Sequence, residues 1–98
     1  MRAKKRSSRE KAVALKYRDK EMAAPRVVAK GQGLIAQKIR ELAVANHIPL
    51  HRDDDLVELL SQVAIDREIP PELYASVAEV LAWIYRANEE ARKGIFAR

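Results

Sequence analysis

The sequence predicts an α/β fold: a small mixed β-sheet of three to four strands with one βαβ unit, covered by about three helices. Three observations carry this. Residues 12–17 place apolar side chains with period two, and residues 34–45 place them with helical spacing. A strand, that helix and a second extended run then follow one another within about 25 residues, the pattern of a right-handed parallel crossover.

In order along the chain, Val13, Leu15 and Tyr17 alternate with Ala12, Ala14 and Lys16, a strand with one well-filled face. Residues 18–25 are a polar connector in which Pro25 holds Ala24 extended. Residues 26–30 are a β-branched second strand, which Gly31 and Gly33 are expected to break. The first helix carries Ile35, Ile39, Leu42 and Ala43 as one apolar stripe, with Asn46 as its left-handed terminator. Residues 48–51 read as a third strand, with Pro49 at its end or edge. Asp53, Asp54 and Asp55 open a second helix reaching about Gln62, with Leu56, Leu59, Leu60 and Val63 apolar. Pro70 and Pro71 open the third and longest helix, whose core stripe is Leu73, Val77, Val80, Leu81 and Ile84. Arg92 and Lys93 complement its negative end and Gly94 stops it.

The domain boundaries that follow are a flexible basic arm over 1–11, an α/β domain over 12–94 and a tail over 95–98. Ninety-eight residues, 48% hydrophobic and 34% charged, suit one soluble domain with a modest core. No apolar run approaches the ~20 residues of a membrane helix, and the N-terminus lacks a signal peptide's apolar segment. With no cysteine there is neither a disulfide framework nor thiolate chemistry. The net charge of +5 is unevenly spread. Residues 1–20 hold nine Lys or Arg against Glu10 and Asp19, a local excess of +7, so residues 21–98 sum to −2.

Catalytic and cofactor patterns are weak. Gly31-Gln32-Gly33 between a strand and a helix lacks the companions of a nucleotide fingerprint and reads as a tight turn, with Lys30 offering weak anion affinity at most. His47 and His51 would stand about 13 Å apart on a strand, too far for one metal. The Asp53–Asp55 run is explained by helix capping. Ser7 and Ser8 have no base fixed near them. No cofactor or metal is expected. The basic arm can neutralise phosphates, yet no aromatic precedes Tyr17 to stack on bases. A small RNA- or ribosome-associated protein is therefore the alternative reading, behind a protein-binding module.

Three segments carry a resemblance: Ala12-Val13-Ala14-Leu15-Lys16-Tyr17, then Met22-Ala23-Ala24-Pro25-Arg26-Val27-Val28-Ala29-Lys30-Gly31, then Ile69-Pro70-Pro71-Glu72-Leu73-Tyr74 with Val77-Ala78-Glu79-Val80-Leu81-Ala82-Trp83. In this order the chain resembles the cytoplasmic C-terminal domain of the type III export-apparatus switch proteins, the FlhB/YscU family, from about residue 12 to residue 86. Members of that family carry Asn-Pro-Thr-His just before the first matched strand and cleave themselves after the Asn. Here those positions read Ser7-Ser8-Arg9-Glu10. Serine has no carboxamide to attack its own carbonyl, so self-cleavage is not carried over and no enzymatic activity is expected. The family's membrane domain does not accompany these residues either, which makes a free-standing relative the expectation. Asp53–Asp55, Glu58 and Ser61 also depart from the family's usual prolines, Arg and Tyr.

What the resemblance implies is a non-enzymatic docking module of flagellar or type III secretion export, with apparatus proteins and secretion substrates as partners. Its expected location is cytoplasmic, at or near the membrane export gate. Its implied protein-binding positions are Ala24, Pro25, Ala78 and Leu81, although Leu81 belongs equally to the core stripe. Tyr74 and Trp83 are expected as buried anchors before interface residues. Because the segment before residue 12 is a poor strand, one sheet edge is expected to stand open to a partner strand.

Overall fold

The computed structural model describes residues 10–18, 21–87 and 95–97. They form β1 (Lys11–Lys16), β2 (Arg26–Gln32), α1 (Leu34–Ala45), α2 (Asp54–Leu60), a 3-10 turn (Pro71–Leu73) leading straight into α3 (Tyr74–Ala87), and β3 (Ile95–Ala97). The α/β class and the three covering helices are as the sequence predicts.

The strands make one sheet in the order β2-β1-β3, so β1 is central. Its first four apolar residues, Ala12, Val13, Ala14 and Leu15, are all buried. Successive side chains on a strand point to opposite faces. Val13 and Leu15 join Val27, Leu56, Val57, Leu60, Ile69, Leu73, Val77, Val80, Leu81 and Ile84 in the main core. Fully burying each large aliphatic of this set contributes about 1.5–3 kcal/mol. Ala12 and Ala14 belong to the other face, where α1 lies on the sheet and buries Ala36 and Ala43. Alanine on both sides lets the helix approach closely. Gly31, paired with Ala12, sits where a Cβ would overlap the Ile35 side chain.

The sheet differs from the expected mixed one: every strand pair among the described residues is antiparallel, and no βαβ unit forms there. Residues 48–51 make no strand; only Leu50 forms a single β-bridge. The Ile48 N–H closes the α1 C-terminus onto the Ala43 carbonyl (2.8 Å), and Pro49 has no N–H, so two successive donors are missing for a ladder. With His47 donating to the Val44 carbonyl (3.2 Å), this is a Schellman closure. Its left-handed residue is His47 (φ 57°), one position beyond the expected Asn46, whose side chain instead donates to the Leu42 carbonyl.

β2 runs through Gly31 to Gln32, which pairs with Lys11, so only Gly33 (φ 63°) breaks the strand. Two residues expected to belong to the arm are part of the fold: Lys11 opens β1, and Glu10 accepts a hydrogen bond from Arg40 at 2.9 Å. Ile95–Ala97, expected as tail, pairs with β1 at Ala14–Lys16. The β3 side of β1 is therefore occupied over those residues, and the expected open sheet edge is not found there. On the outer side of β2, Val27 bonds residues 66 and 67 and Pro25 bonds Ile69. The expected helix end at Arg92, Lys93 and Gly94 lies outside the described residues, as do Ser7, Ser8 and Arg9.

The stripe on α1 is rotated from its expected place. Ile35 and Leu42 are 58% and 54% exposed, while Ala36 and Ala43 are buried. In α2, Val57 is buried in place of Leu59. Asp53 caps this helix through the Leu56 N–H (3.1 Å), as the acidic run implies. Its far end is closed by Lys30, whose Nζ donates to the Ser61 and Val63 carbonyls at 2.9 and 2.8 Å.

Candidate functional site

Ala24 and Pro25 lie more than fifty positions from Ala78 and Leu81 in the chain, yet the four residues line one open groove of about 170 Å³. Tyr17, Ala23, Tyr74 and Val77 complete it. The connector between β1 and β2 supplies one wall. It turns tightly because the Arg18 carbonyl accepts from both the Glu21 and Met22 N–H groups at 2.9 Å. Pro25 then fixes the chain into β2, and its carbonyl accepts from Ile69 N–H at 2.9 Å. That bond ties the connector to the segment leading into α3.

The other wall is one face of α3. Tyr74, Val77, Ala78 and Leu81 are spaced i, i+3, i+4 and i+7, so they share a helical face. Residues 71–73 wind as a 3-10 turn, with Pro71 tolerated because its position needs no donor, and this sets the angle at which Tyr74 begins the helix.

The four implied positions are not alike. Ala24 and Leu81 are 2% and 7% exposed and Pro25 is buried, so they form the floor and also serve the core. Ala78 alone is exposed. No lining residue carries a charge or an imidazole, and the side-chain hydrogen-bonding groups of the lining are the two tyrosine hydroxyls. The arrangement is suited to receiving apolar groups in a water-shedding recess and offers no nucleophile–base pair.

Of the lining that the implied positions omit, Tyr17 continues the Val13–Leu15 alternation beyond the strand, and Tyr74 and Val77 stand one turn and one residue before Ala78. Those spacings were the available signal. Tyr74, expected to be buried, is 44% exposed at the groove. Trp83, likewise expected inside, is 56% exposed and rests against the His51 ring, centroids 6.1 Å apart.

The remaining candidates go elsewhere. Glu10, at the position of the family's His, pairs with Arg40, and its carbonyl accepts from Gly33 N–H at 2.8 Å. Lys30 is engaged with the end of α2. His47 ends α1 and His51 faces Trp83, so they serve two different contacts.

A family model described as "FlhB HrpN YscU SpaS Family" matches residues 9–84. The chain is 45% identical over 84 residues to the flagellar biosynthetic protein FlhB of Yersinia enterocolitica, covering 85% of this chain and 22% of that protein. It thus spans about a fifth of the length of that relative. It is 40% identical to YlqH of Bacillus subtilis, an uncharacterized protein, covering 84% of this chain and 88% of YlqH. Among solved structures, the cytoplasmic domain of FlhB from Shewanella putrefaciens superposes with a TM-score of 0.74 at 36% identity, covering 87% of this chain and 68% of that one.

Proposed function

Because the chain belongs to the FlhB HrpN YscU SpaS family, we propose that it is a non-catalytic protein-binding module of flagellar or type III export. In this reading it docks segments of export substrates or apparatus components in the groove between the 22–25 connector and α3, on the cytoplasmic side of the export gate. One observation carries the proposal. Residues 24, 25, 78 and 81, distant in sequence, converge on a single uncharged recess. A short apolar recess of this kind is a common peptide dock. The absence of catalysis rests on chemistry: the family's cleavage needs an asparagine carboxamide, and Ser7 has none.

The test is export in cells whose membrane-anchored switch protein is truncated before its soluble domain, with and without this chain. Partial rescue or specific interference is expected, and Ala78→Asp, which puts a charge at the groove's exposed wall, abolishes either effect. No effect from the folded chain, or an effect that Ala78→Asp leaves intact, contradicts the reading. Intact mass tests the second half: a single full-length species is expected, and two fragments meeting near residue 7 would show cleavage.

A further inference from the structure

Among the described residues, the two hydroxyls of the groove lining make no hydrogen bond. Tyr17 is half-buried, with its ring packed against the main core, and Tyr74 stands at the first position of α3. Tyrosine hydroxyls that lose water normally gain a partner, because an unpaired polar group left dry is costly. A molecule that covers this apolar floor and packs against both tyrosines displaces water from their hydroxyls. It must therefore bring hydrogen-bonding groups to them or bind poorly.

We propose that the Tyr17 and Tyr74 hydroxyls donate hydrogen bonds to backbone carbonyls of the docked polypeptide, making these residues the positioning elements of the groove. The inference deepens the docking reading above and rests on it. Backbone carbonyls suit the role because an extended segment presents them at regular spacing, about 3.3 Å per residue, whatever its side chains. The lining has no charge with which to select an ionised group. Two hydroxyls on separate elements, one at the end of β1 and one at the start of α3, then fix where the segment lies. The apolar floor takes whatever side chain falls over it. Such a site tolerates many sequences while holding one geometry.

The experiment uses a displayed library of random 12-residue peptides panned against the intact chain, keeping those whose binding Ala78→Asp abolishes. Their affinities are then measured for wild type, Tyr17→Phe and Tyr74→Phe, each of which removes one oxygen and keeps the ring. About a tenfold loss is expected for each variant. Replacing single peptide amides by esters, which weakens the carbonyl as an acceptor, should cost affinity toward wild type at one or two positions and much less toward the matching Phe variant. If both Phe variants bind like wild type while Ala78→Asp does not, the hydroxyl role is overturned and the groove stands. A library yielding no Ala78-dependent peptide overturns the groove as the dock, and the hydroxyl role with it.

Discussion

Lys30 joins the second strand to the end of α2 through the Ser61 and Val63 carbonyls. Replacing it with Met keeps most of the stem but leaves both part-buried acceptors without their cation. We expect Lys30→Met to lower unfolding free energy by about 1–2 kcal/mol in a urea titration. Gly31 acts through absence: Gly31→Ala forces a methyl into Ile35, and a loss of about 1–3 kcal/mol is expected. Glu10 marks the limit of reading residues singly. In sequence it looked like the end of a polar arm, whereas the fold gives it Arg40 and Gly33 as partners from a different element. The site shows the same division. Ala24, Pro25, Ala78 and Leu81 were legible through their resemblance to a family. Tyr17 was not, because alternation says which face a residue shares but not that a helix sixty positions later completes a recess there.

Helix α1 shows how pattern and packing part company. By spacing, Ile35, Ile39, Leu42 and Ala43 form the obvious apolar stripe, yet only Ala43 is buried and Ile39 half-buried, while Ile35 and Leu42 face out, so the face that packs is turned away from the expected one. What decides orientation is the surface it meets, the alanine side of β1 opposite Gly31, where Ala36 and Ala43 fit and larger residues do not. Two substitutions at neighbouring positions separate the readings. Leu42→Glu, on the exposed face, should change stability by no more than about 0.5 kcal/mol. Ala43→Leu, which adds bulk at the closed interface, should cost about 1–3 kcal/mol by thermal or urea unfolding. The opposite order would restore the stripe as core. The helices with large apolar faces were legible because nothing competes with their pattern: Val77, Val80, Leu81 and Ile84 are buried as the periodicity predicts. The missing third strand was not, since the closure that takes the Ile48 N–H depends on where α1 ends in space.

Across the whole molecule, the positive charge lies apart from the proposed dock. The positive excess lies in residues 1–20, whereas the groove is uncharged. Docking in the groove should therefore vary little between low and high salt, while attachment through the basic segment would weaken steeply as ionic strength rises. The fold gives the groove a stable frame: a central strand buried on both faces supports α1 on one side and the core beneath α3 on the other. The most direct measurement is backbone amide NMR of the isotope-labelled chain during titration with a purified export substrate. The account expects the resonances of Ala24, Ala78 and Leu81 to move together and saturably, with those of Leu34, Ile35 and Leu42 unchanged. Shifts confined to α1, or none at saturating substrate, would contradict it.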